Sequence, residues 1–237
     1  MELSGAGTEA REEANGDAAA LGRLLRGRHS CRAFRPDAVA RPVIERILAS
    51  AQCTPSWCNT QPWRLVVVSG TAADAFRAAL LEHVAASEPA PDIAFPQAYQ
   101  GVYQERRRAC GLQLYDAVGV TRGDREASGR QARENFRFYG APHVAIVTTD
   151  VALGQYGAID CGAYVTAFML AAQAHGVACI AQAALASRSP FIREWLGIPD
   201  ERVVVCGISF GYEDVAHPAN RFRTPRAAVA DAVEWRD

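Results

Sequence analysis

Apolar residues recur at helical spacing in some stretches of the chain and cluster into short β-branched runs in others. Val43, Ile44, Ile47, Leu48 and Ala51 share one face of a helix that Pro42 opens and Thr54-Pro55-Ser56 breaks. Leu21 to Arg28 predicts a short helix before it, and Thr71 is placed to cap another through Val84. Arg64 to Ser69 is short, β-branched and bounded by Gly70, which predicts a buried strand. His143 to Thr149 and Arg202 to Phe210 predict two more, and Val229 to Trp235 a final one. Asp160 to Ala174 is apolar nearly all round, the pattern of a helix buried on every side, with Gly176 as its C′ residue.

Ser87 to Arg137 is the least regular region: three prolines (89, 91 and 96), a charged helical pattern, then the polar stretch Arg122 to Glu134. A long charged insertion between core elements reads as a lid or binding loop. Residues 1–20 carry acidic groups and no apolar h-region, so they read as a disordered tail rather than a secretory signal or transit peptide. Gly157 to Ala186 is interrupted by Asp160, Gln173, His175 and Gln182 and falls short of the roughly 20 apolar residues that span a bilayer. With no internal repeat or linker, the expectation is one soluble, cytoplasmic α+β domain over residues 21–237.

Composition narrows this little. At 49% hydrophobic the chain can fill a core, and a net charge of −1 gives no reason to expect nucleic acid or an anionic membrane as partner. The run Arg106-Arg107-Arg108 is better explained as a solvated helix face. Seven cysteines stand singly with no C-x-x-C pair, which fits small buried hydrophobes in a reducing compartment.

Four segments carry candidate chemistry. In Arg28-His29-Ser30-Cys31-Arg32, two guanidinium forks flank a hydroxyl and can surround a phosphate, although alone the segment is better explained as a solvated basic helix end. Arg221-Phe222-Arg223 offers two more cations on an extended segment. In Pro55 to Trp63, two prolines fix the backbone while Ser56, Asn59 and Gln61 offer polar groups suited to a heterocycle edge or ribityl chain. Trp63 reads as core, and Trp57 as facing either solvent or a flat ligand. In Cys179 to Ala184, small side chains let backbone N–H groups approach a ligand, and tight helix packing explains them as well. The five histidines stand apart, and there is neither a G-x-G-x-x-G nor a P-loop. A phosphate-bearing flavin held by arginines is therefore a better account than a Rossmann nucleotide site.

Taken in order, RHSCRAF (28–34), PSWCNTQPW (55–63), ENFRFYGAP (134–142), CIAQAALA (179–186), LGIPDERVVVCGISFGY (196–212) and NRFRTPR (220–226) resemble the nitroreductase family. The likeness is to its nitrobenzoate-reductase-like branch in particular, and it runs from about residue 21 to the end. It implies an α+β nitroreductase-like fold with a central mixed β-sheet surrounded by helices. It also implies an intertwined homodimer whose 212–237 extensions wrap the partner, with FMN at the interface. Arg28, Ser30 and Arg32, joined by Arg221 and Arg223, should hold the phosphate and ribityl chain, with His29 as a further contact. Pro55, Ser56, Trp57 and Asn59 should reach the flavin from the other subunit, and Asn135 should meet its pyrimidine edge. The backbone N–H groups of Ala183 and Ala184, beside Gln182, should meet N5 and O4.

No metal and no catalytic side chain is implied, because flavin N5 carries the chemistry. NADPH or NADH would reduce the flavin, and a nitroaromatic or similar flat acceptor would reoxidise it. Two departures bear on the site. Ala181 stands where close relatives have proline, and Trp57 is bulkier than the residue common there. Alternatives within the fold are a dehalogenase, a flavin-fragmenting enzyme or a biosynthetic dehydrogenase; outside it, a non-catalytic FMN-binding protein. The chain has no lysine, which counts against the lid chemistry of the dehalogenases.

Overall fold

The computed structural model describes residues 5–236. Its centre is a four-stranded sheet of β1 (Arg64–Ser69), β2 (His143–Asp150), β3 (Ala178–Gln182) and β4 (Arg202–Gly211), in the order β1-β2-β4-β3. The expected mixed sheet is corrected here: all three pairings are antiparallel, with Val66 opposite Ile146, Ala145 opposite Ile208 and Ile180 opposite Ser209. The parallel element is a single bridge from Ser30 to Cys179, which lays the arginine segment along the outer edge of β3. That bridge carries the Cys31 N–H to the Cys179 carbonyl at 3.2 Å.

β2 is buried along nearly its whole length, as its apolar run requires. β1 is not the buried strand expected. It lies at the sheet edge and buries only Val68 fully. β3 has small side chains and only five residues, too little pattern for a strand to be read from it.

Two cores flank the sheet. On one side α3 (Gly70–Ala86), α7 (Ala183–Ala186) and α8 (Ser189–Leu196) bury Phe76, Leu80, Leu185 and Ile192 against Val144 and Ile146. On the other, α2 (Arg41–Gln52) and α6 (Gly154–Ala174) bury Ile47 and Phe168 against Ala145, Val147 and Phe210. Each Val, Leu, Ile or Phe side chain so buried contributes about 1.5–3 kcal/mol. A side chain at Gly207 would meet Leu185 Cδ1 at 2.3 Å, so glycine there lets α7 lie directly on β4.

Several boundaries differ from expectation. α1 spans Gly5–Gly27, so residues 5–20 are helical rather than an irregular tail, as their six Ala and three Glu residues allow; residues 1–4 lie outside the described residues. α3 begins at Gly70 with Ser69 in the cap position, not Thr71, and the Ser69 hydroxyl is engaged instead by His143 Nδ1 at 2.7 Å. α6 ends at Ala174 with Gly176, φ +69°, in the C′ position as expected, but it is not buried all round: Tyr156 and Ile159 are exposed. Val229–Asp231 forms a 3₁₀ turn and the chain runs on without a strand, since no neighbouring strand in this chain meets it among the described residues.

The insertion is pinned at its start and loose beyond. Arg188 donates to the Ser87 carbonyl at 2.8 Å, and the Asp92 carboxylate takes both Arg193 and the Val204 N–H. α4 (Gly101–Ala117) then buries no residue, and α5 (Arg125–Arg133) is capped by Asp124, which accepts from the Ala127 N–H at 2.8 Å. Among the described residues no helix is long and apolar enough to cross a membrane.

Candidate functional site

The two ends of the domain meet at a basic cavity of about 290 Å³. Arg28, Ser30 and Arg32 line it from one side, and Arg223 and Arg226 from the other; Arg26, at the end of α1, completes the rim. Asn220, buried, is the clasp between the two segments. Its Oδ1 accepts the Arg32 N–H at 2.7 Å, and its Nδ2 donates to the carbonyls of Ala33 and Asp214, each at 2.9 Å. Arg223 donates to the Asn220 carbonyl at 2.7 Å, and the Arg32 guanidinium lies 5.6 Å from the centre of the Phe222 ring. Cys110 of α4 also lines the cavity, so the insertion reaches this site.

The charges here are uncompensated. Among the described residues none of the five cavity arginines forms an ion pair. Arg28 Nε is buried without a hydrogen-bond partner. A buried guanidinium nitrogen left without an acceptor is costly, which marks this cavity as shaped for an anion. His29 donates through Nε2 to the Glu213 carboxylate at 3.0 Å, leaving its Nδ1 buried and unpartnered. Arg221 departs from expectation. Its guanidinium turns to the Ala216 carbonyl at 2.7 Å and does not line the cavity.

A second cavity, of about 630 Å³, shares Arg32 with the first and lies between the insertion and the core. Tyr139 faces it from a backbone in which Phe138, Tyr139 and Gly140 all have positive φ, at 57°, 52° and 78°. Two bulky residues in that region are strained, a condition that clusters at functional sites. Burial pushes the Tyr139 phenol up from its usual range, and the Arg32 guanidinium partly opposes this.

Gln182 is the hinge of the flavin-edge candidates. It is buried, its Nε2 donates to the Asn135 carbonyl at 2.9 Å and side-chain oxygen at 3.3 Å, and its Oε1 accepts the Ser209 hydroxyl. Asn135 and Gln182 are thereby brought together. Ala183 and Ala184 open α7, so their N–H groups have no carbonyl four residues back in that helix.

The Pro55 to Trp63 turn lies elsewhere. Cys58, Asn59 and Gln61 adopt φ of 50°, 55° and 46°, and Ser56 Oγ accepts the Gln61 N–H at 2.9 Å. Trp57 is 56% exposed; its N–H reaches the Asp160 carboxylate at 3.2 Å and its ring meets Tyr156 edge-on at 4.2 Å. This turn borders a separate cavity of about 220 Å³, so within one chain Pro55, Ser56, Trp57 and Asn59 do not join the arginines. Trp63 is buried as expected, its Nε1 donating to Gln52 at 3.1 Å.

Four residues escaped sequence reasoning. Arg26 and Cys110 carry no local signal. Asn220 and Arg226 stood inside the NRFRTPR motif, which was the available cue.

The nitroreductase family profile matches residues 25–212, and the chain belongs to that family. It is 38% identical over 219 residues to nitroreductase NfnB of Mycolicibacterium smegmatis, covering 92% of this chain and 93% of that one. It is 33% identical to a 4-nitrobenzoate reductase of Nocardioides sp., covering 87% and 85%. The crystal structure of the FMN-dependent nitroreductase NfnB from Mycobacterium smegmatis in complex with NADPH superposes with a TM-score of 0.89 at 38% identity, covering 93% of this chain and 99% of that one. The fold is accordingly nitroreductase-like.

Proposed function

We propose that this chain is an FMN-dependent oxidoreductase that passes electrons from NAD(P)H to a nitroaromatic or similar flat acceptor, working as an intertwined homodimer in the cytoplasm. The observation that carries this reading is the arginine cavity, with its unpaired guanidinium groups and the buried, partnerless Arg28 Nε. These residues fit a phosphate monoester. Arg28, Ser30, Arg32 and Arg223 would hold it through charge-assisted bonds, and Asn220 keeps their two segments in register. Arg221 is left out of direct contact, and His29 is a contact oriented by Glu213.

When bound, FMN supplies hydride acceptance and delivery at N5. The chain supplies position and electrostatics. Ala183 and Ala184, at the start of α7, would offer backbone N–H groups to the N5 and O4 edge, where donors favour the reduced, anionic ring. Asn135, fixed by Gln182, would meet the pyrimidine edge. The relatives whose names include FMN, NADPH and nitrobenzoate support this assignment.

Pro55, Ser56, Trp57 and Asn59 complete the site only when supplied by a second copy. The exposed apolar face of Trp57, Tyr156 and Ile159 supports that arrangement, since α6 is apolar enough for full burial yet uncovered in one chain. The insertion would act as the lid, with Phe95, Tyr99 and Tyr103 exposed for a flat acceptor, and residues 212–237 would wrap the partner. The cysteines, all free, suit a reducing cytoplasm.

The test is anaerobic stopped-flow on FMN-loaded protein. NADPH should bleach the flavin, and 4-nitrobenzoate should then restore its colour. Bound flavin that NADPH and NADH both leave oxidised would favour the non-catalytic binding protein instead.

A further inference from the structure

The cavity at the chain ends holds more positive charge than one flavin phosphate requires. Five guanidinium groups line it, and none is paired with a carboxylate among the described residues. A phosphate monoester carries roughly two negative charges. Four of the cavity's groups, Arg28, Ser30, Arg32 and Arg223, already suffice to surround one such group. Arg26 and Arg226 remain, both exposed at the rim, whereas Arg28 and Arg32 sit deeper and half-buried.

Those two are free to bind. Arg226 directs Nη1 alone to the Thr224 hydroxyl and to the carbonyls of Thr224 and Pro225, at 2.9–3.2 Å, which leaves its Nη2 and Nε for a ligand. Thr224 also lines the cavity and adds a hydroxyl. Among the described residues no Asp or Glu lines it. That last point discriminates between nicotinamide nucleotides: a carboxylate accepts the ribose 2′-hydroxyl of NADH, whereas arginine accommodates the 2′-phosphate of NADPH.

Resting on the flavin reading above, we infer that Arg26 and Arg226 form a second phosphate subsite at the rim of this cavity. Its ligand is the 2′-phosphate of NADPH, so the enzyme selects NADPH over NADH. A terminal monoester suits this subsite better than the diphosphate. It carries more charge per phosphorus and is the group that the two coenzymes do not share.

The experiment compares flavin reduction by NADPH and by NADH in the FMN-loaded wild type, Arg26→Gln and Arg226→Gln. Wild type should favour NADPH by about tenfold or more, the scale of one charge-assisted pair, and each variant should lower that ratio several-fold with flavin content retained. In wild type, adenosine carrying both 2′- and 5′-phosphates should compete with NADPH at least tenfold better than adenosine 5′-monophosphate. Equal rates with the two coenzymes would overturn the subsite. So would variants that weaken both coenzymes in proportion, which would point to the diphosphate, and variants that shed FMN, which would return these arginines to the flavin phosphate. A protein that binds no FMN at all fails at the earlier reading, and that outcome is separately visible in the flavin content.

Discussion

Asn220 and Arg32, 188 positions apart, are joined by a 2.7 Å hydrogen bond from the Arg32 main-chain N–H to the Asn220 side-chain oxygen. Because Asn220 is 3% exposed and also donates to two carbonyls, it holds the arginine segment at one end of the domain to the arginine segment at the other. Replacing it with alanine leaves the Arg32 N–H without an acceptor, at about 1–3 kcal/mol for a buried group left unpaired, while the Ala33 and Asp214 carbonyls keep the N–H groups of Asp214 at 3.1 Å and His217 at 3.3 Å. Asn220→Ala should lower the denaturation midpoint and weaken FMN binding about tenfold or more. Unchanged stability and flavin retention would show that the clasp is incidental.

The apolar patch of Trp57, Tyr156 and Ile159 gives a prediction about assembly. Ile159→Arg, at a position 64% exposed in one chain, should be harmless to folding yet should yield monomers by sedimentation, with flavin lost as well. A monomer that keeps its flavin would mean that the site is complete within one chain.

The thiols divide by burial. Burial pushes Cys31, Cys179 and Cys206 up to about 12 and Cys161 up to about 11, while Cys53 and Cys58 are exposed. Mass spectrometry after brief alkylation of the native protein at pH 8 should find Cys53 labelled and those four spared. A folded value raised above the usual 9.0 means that the unfolded thiol ionises first. Stability is thus intact below pH 9 and should fall progressively from pH 9 toward 12, less steeply in a Cys31→Ala, Cys206→Ala variant.

His143 acts at the other end of the pH scale. Its Nε2 accepts the Val39 N–H at 2.9 Å, so its Nδ1 bears the proton donated to Ser69, and burial lowers its pKa below the usual 6.5. The unfolded state binds the extra proton more readily. Stability is therefore full above pH 6.5 and declines as pH falls below it. His143→Gln should be less stable at pH 8 and flatter between pH 7 and 5, read from thermal melts.

The legible part of this fold was its buried, periodic part. β2 and β4 carry unbroken apolar β-branched runs, and α2 carries a clean helical stripe, so pattern alone located them. β3 was hidden because Ala178 to Gln182 has small, mixed side chains and owes its strand conformation to pairing with β4. α6 misled because its all-apolar surface predicts burial that a single chain does not provide. At the site, Arg28 and Arg32 were singled out by the family resemblance rather than by their spacing, and they do line one cavity. The outward turn of Arg221 was not readable, because the Ala216 carbonyl that captures it depends on how the chain end folds back. Gln182 and Asn220 act through buried amide bonds to distant segments, which no local pattern encodes.

The central claim is that the arginine cavity holds the phosphate of FMN, and riboflavin, which lacks that phosphate, tests it most directly. Titrating both flavins into apo-protein and following the quenching of their fluorescence gives the two affinities in wild type and in Arg28→Ala. FMN should bind wild type tenfold or more tighter than riboflavin, as expected from the loss of one or more charge-assisted bonds of about 1.5–3 kcal/mol each. In Arg28→Ala that advantage should shrink toward unity while riboflavin affinity stays the same. Equal affinities in wild type, or an FMN advantage that survives the substitution undiminished, would contradict the account.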